Sequence, residues 1–342
     1  MSDTVAVAAL TDWMRDVFLA AGMTEAYAQN SADVLGYASA SGIDSHGVIA
    51  LPRYLSHFES GRLHVGATAD VIVDHKAVLA LDGNLSLGVS VGPDAMRGAI
   101  KKARAFGVGV AAVRNSSHFG AAGYYTHLAA GEACVGISTS NVEPIMPPFA
   151  ASEKLLGNNP FSIGAPGVAD EVHQIDFGTS KVAWGKLQLA FERGEAVPDS
   201  WARDQSGNPT SDPQAGMNGM LNPLGEHKGS GLAFMLEVLN STLPGGVPAF
   251  DVVDEVGIGQ CHIAIDVEAF GSAHQFRQGA SALAARVRTS TPARAGETVK
   301  APGDPEAATR AERGRAGVPL LESVRLQLDA CAQRYGVRPP WA

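Results

Sequence analysis

The N-terminal part of the chain shows the spacing of amphipathic helices. Apolar side chains recur at helical intervals over residues 10–19, and Gly22 follows them as a helix stop. Thr24 is suited to begin a second helix, because its hydroxyl can accept a hydrogen bond from a free backbone N–H of the first turn. A third helical stretch reaches about Phe58, and Pro52 lies near its start or kinks it. The chain is therefore predicted to begin with a helical segment.

Beyond this segment, short β-rich stretches alternate with helical ones. Residues 71–73 and 78–81 are apolar or β-branched, and the turn residues 82–84 follow them. Strands and helices stay mixed to the end of the chain without an internal repeat, which predicts an α/β or α+β fold. Helices are predicted at 93–106, 120–131, 225–243, 271–289 and 319–335, strands at 108–113, 134–140, 161–165, 172–177 and 256–267, and loops at 140–180 and 290–305.

Length and composition narrow the class of protein. The 342 residues suffice for two domains or one large α/β unit, and an apolar fraction of 45% is too high for a disordered chain. The 39 glycines have no period, which excludes a collagen-like chain. The net charge is −9 and no basic block precedes the C-terminal segment, so we expect no nucleic-acid partner.

Signals for membrane insertion, secretion and metal binding are not found in the sequence. No apolar run reaches the roughly 18 residues of a membrane helix, and the first residues lack the basic segment of a signal peptide. The 3 cysteines form no CxxC pair, and the histidines show no HxH or HxxxH spacing. We therefore predict a cytoplasmic protein without a membrane partner, a disulfide framework or a metal site.

A dinucleotide fingerprint of the Rossmann type is also missing. That motif needs GxGxxG between a strand and its helix, with an acidic residue about 20 positions further on. The glycines at 107–109 precede a predicted strand instead, and those at 229–231 open a helix without a matching βαβ unit. A standard Rossmann domain is thus disfavoured.

The first candidate site is the sequence Asp44-Ser45-His46-Gly47. An acidic or hydroxyl side chain beside a histidine could orient the imidazole for proton transfer. Neighbours in sequence do not face each other on an α-helix, so a histidine near a helix start without a catalytic role is the alternative. A hydrolase triad is disfavoured because the chain has no GxSxG elbow.

The second candidate runs from Arg114 to Gly123, where a strand ends in a polar cluster and a helix of small residues begins. Free N–H groups at a helix start could cradle a phosphate, and His118 could add a donor. A helix capped by Ser117 explains the same residues equally well.

Further polar segments carry isolated carboxylates and cations. Asp176 at a strand end could accept ribose hydroxyls, and Lys186 could hold a phosphate or a substrate oxyanion. Lys228 precedes a glycine-rich helix start, which also suits a phosphate. Polar turns and a solvated lysine are the alternatives. The arginines between residues 286 and 315 alternate with glutamates and indicate a solvated, salt-bridged face.

Taken in order, these segments resemble the malate/L-lactate dehydrogenase family of the non-Rossmann type. That family also includes ureidoglycolate and sulfolactate dehydrogenases, 2,3-diketogulonate reductase and the cyclic-imine (piperideine/pyrroline-2-carboxylate) reductases. The resemblance covers nearly the whole chain. It is carried by GIDSHGV, LPRYL, LDGNLSLG, VRNSSHFGAAGYY, GNNPFSIGAP, IDFGTSKVAWGK, DQSGNPTSDP, EHKGSGLAFMLEVL and APGDPE.

The resemblance implies a fold and a cofactor. The fold is α/β with a mixed, largely antiparallel sheet, a non-Rossmann NAD(P)-binding fold with a helical substrate and dimerisation part. We expect NAD or NADP as cofactor, with NAD favoured, and a homodimer. We divide the chain into a helical N-terminal part with the catalytic histidine (1–70), a cofactor-binding domain (71–250) and a C-terminal part that packs back on both (251–342).

The resemblance also implies residue roles in hydride transfer between the cofactor and a small 2-hydroxy or 2-oxo acid similar to malate, lactate or ureidoglycolate. His46 is then the acid/base, Ser45 its relay neighbour and Lys186 a further catalytic group. A histidine suits this chemistry because its usual pKa is close to neutral pH. Substrate contacts are expected from His118, Asn158, Trp184 and Arg53, and cofactor contacts from His118, Phe119, Gly120, Ala121, Ala122, Asp176, Phe177, Gly178, Lys228, Pro302, Gly303 and Asp304.

Three positions depart from the family pattern. The family carries a carboxylate-binding arginine four residues after the histidine, and this chain has Ala50, which cannot form that contact. On an unbroken helix Arg53, seven residues after His46, would share its face about 10 Å further along, and whether it can take over the contact is open. Asn158 stands where a threonine is usual, and Trp184 where an arginine is frequent.

Two other functions remain alternatives. A cyclic-imine reductase would place an acid where this chain has Lys186, so Lys186 favours hydroxy-acid chemistry. A non-catalytic nucleotide-binding protein would explain the loss of the carboxylate-binding arginine at Ala50.

Overall fold

A computed structural model describes residues 4–342 of the chain. Residues 1–3, on which part of the signal-peptide prediction depends, lie outside this range. None of the described helices is long and apolar enough to cross a membrane. The helices are α1 (Val7–Ala20), α2 (Glu25–Ser41), α3 (Leu51–Glu59), α4 (Gly88–Phe106), α5 (Ala122–Gly131), α6 (Trp184–Arg193), α7 (Pro213–Asn218), α8 (His227–Glu237), α9 (Ala273–Arg288), α10 (Asp304–Ala316) and α11 (Glu322–Tyr335).

The strands form one large and two small sheets. The large sheet has seven strands in the order β2-β3-β4-β11-β5-β6-β7, and within the described residues its neighbours are antiparallel except β3 and β4. This confirms the predicted mixed, largely antiparallel α/β fold. The strands are β1 (Thr4–Val5), β2 (Asp70–His75), β3 (Val78–Asp82), β4 (Val108–Ser117), β5 (Cys134–Ser140), β6 (Pro160–Pro166), β7 (Val172–Gly178), β8 (Ala202–Arg203), β9 (Pro209–Thr210), β10 (Met220–Leu221), β11 (Val256–Asp266) and β12 (Val318–Pro319).

Two hydrophobic cores lie in different parts of the molecule. The larger joins α1, α2, α4 and α5 to the large sheet and includes Phe18, Leu35 and Met96, none of which is exposed. The smaller is built from Met146, Leu187 and their neighbours, beside the three-stranded sheet of β8, β9 and β10. We call the two segments around the smaller core, residues 144–156 and 181–235, the small unit.

Local signals mark the ends of several helices, Thr24 and Gly107 as the sequence predicts and Gly42 as an end that was not predicted. The Thr24 hydroxyl accepts the Tyr27 N–H at 3.4 Å at the start of α2. Gly42 and Gly107 end α2 and α4 with φ of 79° and 82°, a conformation that other residues rarely adopt. These signals are local, so they can be read from a few residues.

Other elements differ from the predictions because their signals are weak. The helix predicted from residue 93 begins at Gly88, and Pro93 lies inside it. Helix α10 is not predicted, because none of its residues is buried and it has no apolar stripe. The strands β8, β9 and β10 have two residues each, too few for an alternating pattern.

Strand β11 determines how the C-terminal residues join the rest of the molecule. It pairs with β4 on one side and β5 on the other, at the centre of the large sheet. The proposed division at residue 250 therefore crosses this sheet. The three-part organisation remains a prediction.

Candidate active site

The turn between α2 and α3 carries Ser45 and His46. Gly47 follows them, and a Cβ atom there would lie 2.4 Å from the Ser39 hydroxyl, so a side chain would not fit without a shift. The same hydroxyl accepts the Val48 N–H at 2.9 Å. This packing fixes the turn, and His46 is half-buried in it.

Ser45 and His46 are in direct contact. The Ser45 Oγ lies 2.8 Å from His46 Nδ1. Such neighbours would not meet on an α-helix, but residues 44–46 form a short 3₁₀ turn. With Nδ1 engaged by Ser45, the Nε2 atom is left to exchange a proton with a ligand.

The pKa of His46 is far from the near-neutral value expected for a two-way proton carrier. Burial, and then the positive charge of Arg53, lower the pKa of His46 to about 4. His46 is therefore neutral at pH 7 and able to accept a proton.

His118 follows the end of β4 and faces His46, with ring centroids 5.3 Å apart. Three donors converge on His118 Nδ1: the Tyr54 hydroxyl at 2.6 Å, the Gly120 N–H at 3.3 Å and the Arg53 Nη2 at 3.5 Å. Burial and then Arg53 lower the pKa of His118 to about 3, so the ring is neutral. Because Nδ1 accepts, the proton sits on Nε2, and His118 presents a fixed hydrogen-bond donor.

Arg53 is held beside this histidine pair by an acidic residue. Its Nη1 donates to Glu255 Oε1 at 2.7 Å, and Glu255 Oε2 lies 3.3 Å from His57 Nε2. The Arg53 side chain is 43% exposed, which leaves it accessible to a ligand. Ala50 is only 3% exposed. Arg53 is thus the arginine of α3 that reaches the site.

The LDGNLSLG segment supports the end of β4. The Asp82 carboxylate accepts hydrogen bonds from Asn115 Nδ2 at 3.0 Å and from Arg114 Nε at 2.9 Å. A Cβ on Gly88 would lie 2.0 Å from the Ser117 carbonyl, so α4 begins directly against the residues before His118. The LDGNLSLG motif therefore packs against the residues that precede His118 and helps to position it.

The start of α5 fits the phosphates and ribose of a nucleotide. Ala121 offers no side-chain cap to this helix, and the Tyr124 N–H donates to the Ala121 carbonyl at 3.1 Å, so the Ala122 N–H is the one that could meet a phosphate. The Gly123 N–H donates to Asp176 Oδ2 at 2.7 Å, which leaves the other carboxylate oxygen for a ribose hydroxyl. Asp176 remains accessible, and desolvation by the surrounding protein raises its pKa to about 6.

Four other predicted cofactor and substrate residues lie near these elements. Phe119 is 1% exposed and stacks on Tyr125, so its ring belongs to the core and only its backbone can contribute. Phe177 packs against Phe161. A Cβ on Gly178 would lie 3.0 Å from Asn158 Nδ2, so these two residues meet at the end of β7.

The predicted C-terminal cofactor loop runs beside β7. The Pro302 carbonyl accepts the Gln174 N–H at 3.3 Å, and Gly303 has a φ of 94°. Asp304 binds Arg288 with its carboxylate, at 2.6 Å for the shortest contact. Asp304 therefore closes the loop, while its neighbours face the sheet.

Three predicted residues, Trp184, Lys186 and Lys228, lie on the small unit, and all are exposed. Within residues 4–342, no hydrogen bond or ion pair joins Lys186 to His46. Lys228 lines a cavity of about 640 Å³ together with Lys181 and Arg203. The structure thus brings His46, His118 and Arg53 together, and it does not bring Lys186 to them.

Sequence reasoning missed Tyr54, Glu255 and Arg313. Tyr54 directly follows Arg53 in the LPRYL segment, so the sequence could have indicated that Tyr54 also lies near the site. Arg313 on α10 binds the Asp44 carboxylate and donates to the Ser39 carbonyl at 2.6 Å. It was assigned to a solvated face, but its side chain is 14% exposed.

Together these elements define an α/β enzyme site in which a neutral imidazole, a fixed hydrogen-bond donor and an arginine lie beside a surface suited to a nucleotide. Within residues 4–342 no group of His, Cys, Asp and Glu side chains could hold a metal ion. This arrangement suits a dehydrogenase, a class of enzyme that needs a proton carrier and a nicotinamide cofactor.

Comparisons with known proteins agree with this class. The family model for malate/L-lactate dehydrogenase matches residues 5–329. The malate dehydrogenase of Pyrococcus horikoshii is 34% identical, over 92% of this chain and 91% of that one. The L-sulfolactate dehydrogenase of Methanocaldococcus jannaschii is 35% identical over 94% of both chains, and its solved structure has a TM-score of 0.91 over 98% of both. The Δ1-piperideine-2-carboxylate reductase of Pseudomonas syringae has a TM-score of 0.88 at 29% identity, over 97% of this chain and 100% of that one.

The chain belongs to the malate/L-lactate dehydrogenase family. It is a dehydrogenase acting on CH–OH groups with a nicotinamide cofactor, as the resemblance implies. The alternative of a non-catalytic nucleotide-binding protein is therefore not supported.

Proposed function

We propose that this protein transfers a hydride between NAD(P) and a small 2-hydroxy or 2-oxo acid, with His46 as the acid/base. The observation that carries the proposal is the pairing of His46 and His118, with Arg53 against the second ring. An alcohol oxidation needs a base for the hydroxyl proton, a donor for the oxygen and a cation for the carboxylate, and this cluster offers one group for each role.

Each side chain has a distinct part in the proposed reaction. His46 Nε2 accepts the hydroxyl proton of a 2-hydroxy acid, while the Nδ1–H donates to Ser45. His118 Nε2–H donates to the same substrate oxygen. Arg53 binds the carboxylate with N–H groups that Glu255 does not use. The bound nicotinamide supplies or accepts the hydride.

For the cofactor we propose the start of α5, Asp176 and the loop at Gly303 as contacts, with Lys228 as a phosphate contact. A carboxylate that accepts ribose hydroxyls disfavours a 2′-phosphate at the same place, so we propose a preference for NAD over NADP. Asn158 and Trp184 remain proposed substrate contacts, and Lys186 remains a proposed catalytic group.

We also propose a homodimer. Helix α8 and residues 250–253 carry four large apolar side chains that are more than half exposed, namely Phe234 at 57%, Met235 at 55%, Phe250 at 57% and Val253 at 67%. The Glu237 carboxylate accepts the Ala249 N–H at 2.7 Å, which holds α8 against the segment with Phe250 and Val253. Such an apolar patch suits a subunit interface. Sedimentation equilibrium is expected to give twice the monomer mass.

A cyclic-imine reductase is the second candidate, favoured by the structural similarity to the piperideine-2-carboxylate reductase. Lys186 is a cation where such a reductase carries an acid, which supports the first proposal. The test is a screen that follows NADH and NADPH absorbance with 2-oxo acids, 2-hydroxy acids and piperideine-2-carboxylate. Turnover of a 2-oxo acid is the expected result, and turnover of the imine alone would replace the proposal by the second candidate.

A further inference from the structure

The turn before β11 brings an acidic residue to Arg53. Glu255 contacts Arg53 with one carboxylate oxygen, at 2.7 Å, and His57 with the other, at 3.3 Å. Arg53 and His57 are four residues apart on α3, so they share one face of the helix. The Glu255 side chain is 21% exposed, and the carboxylate thus links two side chains of one helix from across the site.

Glu255 is ionised at neutral pH. Burial acts to raise its pKa, but the hydrogen bond to His57 and the charges of its neighbours outweigh burial and lower the pKa to about 2. Arg53 and Glu255 therefore form a charge-assisted pair, the stronger kind of hydrogen bond.

The backbone at Glu255 is in an unfavourable conformation. Asp254 and Glu255 have φ of 53° and 59°, and the Val256 N–H donates to the Val253 carbonyl at 3.1 Å. Two successive positive φ values are typical of a type I′ turn, in which glycine and asparagine are preferred. A glutamate in such a turn indicates that its side-chain contacts outweigh the strain. Glu143 supports the turn by accepting the Glu255 N–H.

The pairing determines the direction of the Arg53 guanidinium. Because the group is planar, a contact at Nη1 and the stacking of its Cζ 5.3 Å above the Tyr54 ring together fix its plane. Its Nη2 then points to His118, 3.5 Å away. Nη2 keeps a second N–H, beside His118, that these contacts do not use.

The geometry points to Glu255 as a positioning residue that holds Arg53 beside the histidine pair, where Arg53 binds the carboxylate of the substrate. This inference rests on the proposed function, because it needs a substrate with a carboxylate. Glu255 sets affinity for such acids and contacts neither the reacting carbon nor its oxygen.

Two alternative roles for Glu255 predict different effects on the binding of acids. If Glu255 instead competed with the substrate for Arg53, loss of its charge would strengthen the binding of acids. If it only stabilised the turn, substitution of its neighbour Asp254 would have the same effect. Asp254 has the same strained φ and pairs with Arg62 at 2.8 Å, away from the histidines, which makes it a matched control.

The test compares Glu255→Gln and Asp254→Asn in the full-length protein. Oxamate, an unreactive analogue of a 2-oxo acid, is titrated calorimetrically into each variant saturated with NADH. We expect the Kd of oxamate to rise about tenfold in Glu255→Gln and to stay unchanged in Asp254→Asn, as the loss of one charge-assisted contact predicts. In turnover, the KM for a 2-oxo acid rises by the same factor, while the KM for NADH and the KM for the neutral amide of the acid stay unchanged.

The outcomes separate this inference from the proposed function. No oxamate binding to the unmodified protein, unchanged or tighter binding in Glu255→Gln, or an equal loss in both variants would each overturn the role of Glu255. Binding that depends on Glu255 without turnover of any 2-oxo acid would uphold the role and overturn the proposed reaction. A second variant, Glu255→Gly, relieves the strain. It also removes both side-chain contacts, so it is expected to lose oxamate affinity as Glu255→Gln does, and unchanged affinity in this variant would likewise overturn the role of Glu255.

Discussion

The histidine site and the small unit present their polar side chains in opposite ways. At the histidine site, defined as Ser45, His46, Arg53, Tyr54, His118 and Glu255, each side chain has a hydrogen-bond partner within the site. On the small unit, Trp184 and Lys186 are exposed, and Lys186 makes no side-chain hydrogen bond or ion pair within residues 4–342.

This difference indicates two kinds of contribution to catalysis. Groups with fixed partners are positioned before a ligand arrives, so their loss removes an interaction that is already in place. A flexible exposed lysine must lose conformational freedom when it engages a ligand, which reduces its net contribution. The comparison predicts that substitutions at the histidine site have larger effects than those on the small unit.

The largest effect is expected for His46→Ala. Removal of the proton carrier should lower kcat by about a thousandfold, within the usual range for general acid–base catalysis. The Kd for NADH should stay within about twofold of its original value, because the proposed cofactor contacts are on other elements. Stopped-flow turnover and fluorescence titration measure the two quantities. His274→Ala, at an exposed position of α9, is the control, and a parallel loss of NADH binding would show that His46 is structural.

The pH dependence should differ between the two reaction directions. With the pKa of His46 at about 4, the base form needed for oxidation is fully populated above about pH 5, so kcat/KM for oxidation stays constant there. Reduction needs protonated His46, whose fraction falls about tenfold per pH unit above the pKa, or about a hundredfold from pH 5 to pH 7.

A variant of a charged residue near His46 serves as a control for this prediction. Arg53 lowers the pKa of His46 and Glu255 opposes it, with neutral His118 as the remaining neighbour. Arg53→Gln should therefore raise the pKa of His46, so that kcat/KM for oxidation begins to fall at a higher pH than in the unmodified protein. If kcat/KM for oxidation in the unmodified protein still rises between pH 6 and pH 7, the lowered pKa is wrong.

Whether a contact can be predicted from the sequence depends on how far apart the two residues are along the chain. Gly22, Thr24, Gly42 and Gly107 act within one helix turn, so the helix ends near them could be predicted. The contact between Arg53 and Glu255 joins residues 202 positions apart, and no sequence pattern in either segment predicts it. The Ser45–His46 contact depends on a 3₁₀ turn that the sequence did not distinguish from an α-helix.

The resemblance to a family supplied what periodicity could not. It ordered His46, His118 and Asp176 into one site, whereas each segment alone had an equally good structural explanation. It also led to Ala50 as a missing arginine, and the structure adds that Arg53 takes up a place beside His118. Physical reasoning from the residues alone placed Arg53 on the face of His46 for an unbroken helix, and residues 44–50 form two 3₁₀ turns instead.

Lys186→Ala tests the prediction that substitutions on the small unit have smaller effects than those at the histidine site. We expect kcat/KM for a 2-oxo acid to fall by about tenfold, because an exposed lysine supplies a solvated charge. Arg193→Ala, in the last turn of the same helix α6, is the control and should leave kcat/KM unchanged. A loss as large as that of His46→Ala would contradict the comparison, since it would require the small unit to bring Lys186 to the substrate as a fixed group.

The smallest effect is expected where α10 supports the histidine site from outside. Arg313 binds both oxygens of Asp44 and the Ser39 carbonyl, and so joins α10 to the turn that carries His46. Asp44 is itself exposed, so the pair contributes little to stability, and Arg313→Gln should lower kcat by only about threefold. Arg315→Gln is the matched control, because within residues 4–342 the Arg315 side chain donates to the Ala311 carbonyl of its own helix and to no other group. A fall in kcat of a hundredfold or more in steady-state turnover, with unchanged thermal stability, would mean that the orientation of His46 depends on α10. The histidine site would then extend to a helix that has no buried residue and that the sequence did not predict.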